Sequence, residues 1–190
     1  MIDLTPLLPS NPTPPLCAPL AGGGTFRLAD ELPAAFTLVV FYRGLHCPIC
    51  RTQLQALESL LPDFARRGVG VVAVSSDSLA RAERTKAEWG LSALRIGAEL
   101  PLRLARRWGL YVSRGGRTTS AGIQEPAFFS EPGLFLVRPD GTLYFGSTQT
   151  MPFTRPPLRE VLAAVDYVLG HDYPARGEVA AVEDALSEVA

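Results

Sequence analysis

Two cysteines separated by two residues, Cys47-Pro48-Ile49-Cys50, lie between a stretch that reads as a buried strand and one that reads as a helix. Thr37 to Tyr42 is a continuous apolar run rich in β-branched and aromatic residues, the pattern of a central strand covered on both faces. From Pro48 onward, Leu54, Leu57, Leu61 and Phe64 recur at helical spacing and give a core-facing stripe. Pro48 suits the first helical position, where its missing N–H is no loss. Cys47 then falls near the N-cap and Cys50 in the first turn. Unpaired N–H groups and the positive end of the helix dipole favour a thiolate there, and the thiolate is the reactive form of sulfur.

The same spacing assigns roles. Cys50 precedes Leu54 by four residues and so lies on the core stripe, whereas Cys47 lies before the helix proper and is expected to be the more exposed. Cys47 is therefore the attacking thiol and Cys50 the resolving one. Arg43 and His46 are the neighbours in sequence able to lend positive charge. For Arg43 the competing reading is a salt bridge or a surface position; for His46 it is a residue lining the pocket mouth.

Two other uses of the cysteines compete with redox chemistry. They could serve as small apolar core residues, or as half of a metal site. A structural zinc takes four ligands, commonly as two pairs, and this chain has one C-x-x-C, with Cys17 and His171 far off in sequence. No metal or organic cofactor is expected. Cys17 reads as an unimportant small residue unless its arm folds back over the site. The N-terminus lacks a basic, uninterrupted apolar leader, and no stretch has the length of a membrane span. A cytoplasmic location is expected, where structural disulfides are rare. With 47% hydrophobic residues, 19% charged residues and a net charge of −1, the 190-residue chain has a globular balance. It lacks the basic excess that nucleic acid or an anionic membrane surface attracts. Arg66-Arg67 and Arg103 to Arg107 read as solvated helix faces.

Three segments are expected: a Pro/Gly-rich arm over 1–24, a domain over 25–172 and a tail over 173–190, with an Ala/Glu-rich end. After the first helix, which Pro62 should kink or split, come a strand over Val69–Ser75 and a helix from Asp77 or Ser78 to Trp89. A short strand at Leu94–Ile96 and a helix over Pro101–Trp108 follow. Residues 110–131 show no clear period and read as a long functional or mobile connection. Arg138-Pro139-Asp140-Gly141 is a turn between two apolar runs, hence a hairpin. Leu158, Val161, Leu162, Val165 and Leu169 mark a last helix closed by Gly170. Strands alternating with helices and ending in a hairpin predict an α/β fold, a mixed central sheet flanked by helices.

Phe41-Tyr-Arg-Gly-Leu-His-Cys-Pro-Ile-Cys50, the strand Pro132-Gly-Leu-Phe-Leu-Val137 and Pro139-Asp-Gly141 together resemble the peroxiredoxin-like branch of the thioredoxin superfamily. This is the alkyl hydroperoxide reductase and thiol-specific antioxidant (AhpC/TSA) family. The resemblance implies a thioredoxin-like fold with a peroxiredoxin-type extra strand and helix, over about residues 20–170. Matched position by position, Cys50 takes the family's peroxidatic place, Cys47 stands where the family has a Thr, and Arg43 where it has a Pro. Pro132 stands where the family has a peroxide-polarising Arg. Against thioredoxins, Cys47 and Cys50 match the dithiol and Pro132 matches the cis-proline that faces it, so a cis Glu131-Pro132 bond beside the dithiol is expected.

The resemblance implies a thiol–disulfide oxidoreductase in which Cys47 attacks and Cys50 resolves. It also implies an alternative, a thiol peroxidase with Cys50 peroxidatic and Cys47 resolving, in which Arg43, Arg114 or Arg117 replaces the missing Arg. A third reading is a non-catalytic binding protein on the same fold. Implied partners are a peroxide or protein-disulfide substrate, a thiol reductant (a thioredoxin-like protein or glutathione) and, as family members often dimerise, a second copy of the chain. By analogy of fold, residues 110–131 and Ser147–Arg155 border the site.

Overall fold

The computed structural model describes residues 7–180; most of the Ala/Glu-rich end lies outside the described residues. A five-stranded mixed sheet forms the centre. Strand β3 (Phe36–Phe41) pairs in parallel with β4 (Val69–Val74), and β4 in parallel with β5 (Arg95–Gly97). On its other side β3 pairs antiparallel with β8 (Gly133–Val137), and β8 with β9 (Leu143–Thr148), giving the order β5-β4-β3-β8-β9.

Every residue of β3 is buried, because successive side chains enter two different cores. Leu38 and Val40 join the core beneath helices α1 (Pro48–Arg66) and α4 (Leu158–His171), with Leu54, Leu57, Phe64, Val161 and Val165. Val39 and Phe41 join the opposite core with Phe26, Phe135 and Trp108, just after helix α3 (Leu102–Arg107). Phe41, Trp108 and Phe135 meet there with ring centroids 5.1–5.7 Å apart. Helix α2 (Leu79–Glu88) links β4 to β5.

Several expectations are corrected. Pro62 does not split α1, which runs unbroken for 19 residues. Its position is exposed, so the carbonyl it leaves without an N–H donor can turn to water. Leu60, not Leu61, completes the buried stripe with Cys50, Leu54, Leu57 and Phe64. Helix α4 passes Gly170 and ends at His171, with Asp172 in the left-handed region. The arm is not wholly irregular: β1 (Cys17–Pro19) pairs antiparallel with β2 (Thr25–Arg27), and Leu20 bridges to Gly97 at the sheet edge. Cys17 is exposed. The 110–131 stretch contains a two-stranded ribbon, β6 (Val112–Arg114) with β7 (Phe128–Ser130). Among the described residues there is no cis peptide bond, so Glu131-Pro132 is trans. Its backbone is tied into the sheet, the Pro132 carbonyl accepting from the Gln149 N–H at 3.0 Å.

Candidate active site

Where β3 ends, the chain turns through Arg43–His46 into α1. A buried carboxylate holds the turn: Asp77 accepts the Leu45 N–H at 2.7 Å and pairs with Arg81 at 2.8 Å. Gly44 passes so close to this carboxylate, with φ +130°, that a Cβ there would come within 2.5 Å of it. The clamp delivers Cys47 to the N-cap of α1, where its sulfur accepts the Cys50 N–H at 3.3 Å. Cys50, one turn in, points at the core.

Both sulfurs are shielded. Cys47 is 1% exposed and Cys50 is 0% exposed, which corrects the expectation of an accessible Cys47. The thiols are free, and the Cys50 side chain hydrogen-bonds to Cys47. A hydrogen bond from the Cys50 side chain, joined by the Cys50 N–H and the charges of Arg155 and Arg43, draws the Cys47 thiol down to about 6. Burial pushes the Cys50 thiol up, as does its role as donor to Cys47. At neutral pH the pair carries one negative charge centred on Cys47, with the remaining proton on Cys50.

The cation closest to the sulfurs is Arg155, which sequence reading placed only within a bordering segment. It follows β9 and comes back over the N-terminus of α1. Its Nη2 stands 3.2 Å from Cys50 Sγ and 3.9 Å from Cys47 Sγ. Its Nε donates to the Pro152 carbonyl at 2.8 Å, and its Nη1 donates to Gln53 Oε1. Among the described residues no carboxylate pairs with it, so its charge is directed at sulfur.

Arg43 is placed differently. Its backbone N–H donates to Cys50 Sγ at 3.4 Å, but its guanidinium turns away to Glu131 at 3.3 Å and Glu125 at 3.5 Å, over the ring of Phe129. Glu131 also accepts from the Ser113 hydroxyl at 2.5 Å. His46 is fully buried against Phe129, centroids 4.7 Å apart, with no hydrogen-bond partner on either ring nitrogen among the described residues. Burial, then the charges of Arg43 and Arg81, lowers its pKa to about 4. His46 is therefore neutral at pH 7 and lends the thiolate no charge, which corrects that expectation. Arg114 lies over Phe128, and the Arg117 N–H bonds Glu125; neither reaches sulfur. Pro132 is buried beside Glu131.

Among the described residues no three His, Cys, Asp or Glu side chains are grouped to hold a metal ion, and no helix is long and apolar enough to cross a membrane.

Solved structures with the same fold include a peroxiredoxin 6 of Arenicola marina, at 23% identity and TM-score 0.68, over 86% of this chain and 74% of that one. A reduced 2-Cys peroxiredoxin of Plasmodium vivax matches at 16% identity and TM-score 0.70, over 88% and 84%. The bacterioferritin comigratory protein of Xanthomonas campestris matches at 22% identity and TM-score 0.64, over 87% and 98%. A comparison with curated proteins finds no match. The fold is thus the thioredoxin-like fold of peroxiredoxins. The model of the AhpC/TSA family matches residues 9–145, most of the chain, and this chain belongs to that family of thiol-based oxidoreductases.

Proposed function

We propose that the protein is a dithiol peroxidase in which Cys47 is the nucleophile and Cys50 the resolving thiol. The observation that carries this is the Arg155 guanidinium, 3.2 and 3.9 Å from the two sulfurs and without a carboxylate partner among the described residues. It stabilises the thiolate, and from that position it can also meet charge developing on an oxygen that departs from either sulfur. The Cys47 thiolate attacks the terminal oxygen of a hydroperoxide and the O–O bond breaks. Cys47 becomes a sulfenic acid, and the alkoxide takes up a proton and leaves as an alcohol, or as water from hydrogen peroxide. Cys50 then attacks Cys47 sulfur; the S–S bond forms, and the hydroxyl group leaves as water with the Cys50 proton. The dithiol has supplied two electrons, and an external thiol reductant restores it.

A hydroperoxide fits this site better than a protein disulfide does. A protein disulfide has to bring its own sulfur within bonding distance of a Cys47 that is 1% exposed, whereas a hydroperoxide has to bring only its terminal oxygen there.

A second reading, Cys50 peroxidatic with Cys47 resolving, is favoured by one observation: Cys50 sulfur has the shorter Arg155 contact and also receives the Arg43 N–H. Reduced protein mixed with one equivalent of hydrogen peroxide tests both readings. We expect the Cys47–Cys50 disulfide to form far faster than free cysteine oxidises. Cys50→Ser should stall with a sulfenic acid on Cys47, and Cys47→Ser should lose the fast phase. A fast phase retained in Cys47→Ser makes Cys50 the nucleophile; disulfide formation at the free-cysteine rate rejects peroxidase action altogether.

A further inference from the structure

The β6–β7 ribbon continues into a hairpin, residues 115–127, attached to the turn that carries Cys47. The hairpin satisfies its own backbone. The Gly115 N–H donates to the Ala127 carbonyl at 2.9 Å, the Glu125 N–H to the Arg117 carbonyl at 2.8 Å, and the Gly122 N–H closes the tip on the Thr119 carbonyl at 2.9 Å. Its polar attachments to the rest of the molecule, among the described residues, are two, and both are long. Glu125 pairs with Arg43 at 3.5 Å, and the Gln124 carbonyl accepts from Arg81 at 3.5 Å. Its apolar anchor is Ile123, half-buried against the core that contains Leu45, Cys47 and Cys50. Arg43 belongs to the turn itself, and Arg81 to the Asp77 clamp that holds it. Thr118, Ser120, Ala121 and Gly122, at the tip, are exposed. At the root, Gly116 has φ +100°, a backbone conformation that L side chains rarely adopt. The segment on the other side of the dithiol is held harder: Arg155 bonds Cys50 Sγ at 3.2 Å, the Pro152 carbonyl at 2.8 Å, and Gln53.

We propose that the 115–127 hairpin is a gate over Cys47, latched by Arg43 and Arg81. Closed, it keeps a reactant of protein size from the dithiol; open, it lets a protein thiol reductant reach the Cys47–Cys50 disulfide. The proposal rests on the dithiol reading and deepens it by assigning how access to that site is regulated. A hydroperoxide delivers one oxygen, whereas a protein reductant delivers a sulfur carried on a folded surface, and Cys47 is 1% exposed. The cover with the weakest attachments is the one that yields: few buried contacts and long polar bonds mark a segment that opens well below the free energy of global unfolding. Glu131 keeps Arg43 paired when Glu125 lets go, so opening strands no buried charge. Arg43 also ties the latch to the dithiol, its N–H on Cys50 Sγ and its guanidinium on Glu125.

The test uses the intact protein with the Cys47–Cys50 disulfide formed by diamide rather than by peroxide. Its reduction by a thioredoxin is compared with its reduction by dithiothreitol. We expect the ratio of the thioredoxin rate to the dithiothreitol rate to rise by about two- to fivefold in Glu125→Gln, the range of a partly exposed ion pair, and to rise also in Ile123→Ala. The reduced protein gives a second measurement, at a pH well above the Cys47 value of about 6. Both substitutions should speed labelling of Cys47 by a maleimide carried on a small globular protein more than labelling by iodoacetamide. Peptide mapping sets Cys47 apart from the exposed Cys17. Neither readout passes through peroxide turnover, so the gate and the peroxidase reading fail separately. Ratios that neither variant moves, in reduction and in labelling, overturn the gate, even in an active peroxidase. Ratios that rise in both variants uphold it, even if hydrogen peroxide is consumed slowly.

Discussion

Two arginines flank the dithiol, and the chain uses them in opposite ways. Arg43 is four residues from Cys47, yet its guanidinium is taken up by Glu131 and Glu125 and only its backbone N–H reaches sulfur. Arg155 is more than a hundred residues away, yet its guanidinium touches both sulfurs, and among the described residues no carboxylate neutralises it. A cation stabilises a thiolate only to the extent that its charge is not already spent on an acid. Arg43 is thus a fastener between the active-site turn and the β6–β7 ribbon, and Arg155 is the electrostatic partner of the chemistry.

The largest break in this contrast is Arg155→Gln. Removing an opposite charge within about 4–6 Å typically moves a pKa by about 1–3 units. The Cys47 thiol should therefore rise from about 6 towards its ordinary range, and peroxide reactivity at pH 7 should fall by about two- to a hundredfold as the thiolate fraction shrinks. Thiolate absorbance against pH, read beside the rate of disulfide formation, checks both. A deficit that vanishes at high pH confines Arg155 to thiolate stabilisation. A deficit that persists assigns it a share in stabilising the departing oxygen as well.

Glu131→Gln makes the opposite break. Glu131 is buried, and neutralising it leaves the half-buried Arg43, among the described residues, with the longer pair to Glu125. We expect a loss of about 2 kcal/mol in unfolding free energy, below the about 3–5 kcal/mol of a fully buried broken pair because Arg43 is partly exposed and keeps Glu125. Less of the Arg43 charge is then neutralised, so the Cys47 thiol should move slightly down, opposite in sign to Arg155→Gln. Denaturant unfolding and the same thiolate titration read the two effects. A Cys47 thiol that moves up instead would mean that Glu131 acts on the dithiol by some route other than Arg43.

The contrast also explains what could be read in the sequence. The strand at 36–41, the helix at 48–66 and the hairpin around 138–141 carry their own periodicity or turn chemistry, and all three form where that pattern indicates. The ribbon in 110–131 does not, because strands of three residues are too short to show a period. Arg43 is conspicuous because it is close in sequence; nothing local shows that two acids some eighty residues on compensate it. Arg155 lies in a Pro-rich segment without pattern, and only the tertiary fold brings it to sulfur. The sequence suggests an exposed Cys47 because an N-cap lies outside the helix proper. Residues distant in sequence close over that position, Arg155 among them.

The smallest effect at pH 7 belongs to His46→Phe, and it tests the Arg43 side through its other buried neighbour. His46 has its pKa lowered to about 4, by burial first and then by Arg43 and Arg81, against about 6.5 in the unfolded chain. Above pH 6.5 both states hold the ring neutral, and it contributes no pH dependence. As pH falls from 6.5 towards 4 the unfolded chain binds a proton that the folded chain refuses, so the wild type loses stability at up to about 1.4 kcal/mol per pH unit. The Phe variant lacks that loss. Its unfolding free energy should stay flatter across this window, while its rate with peroxide at pH 7 stays close to wild type, because a neutral ring gives the thiolate no charge. Unfolding curves at several pH values between 4 and 7 decide the matter. Parallel slopes for the two proteins would mean that the folded state protonates His46 readily, and the ring would then have to be counted among the cations that support Cys47.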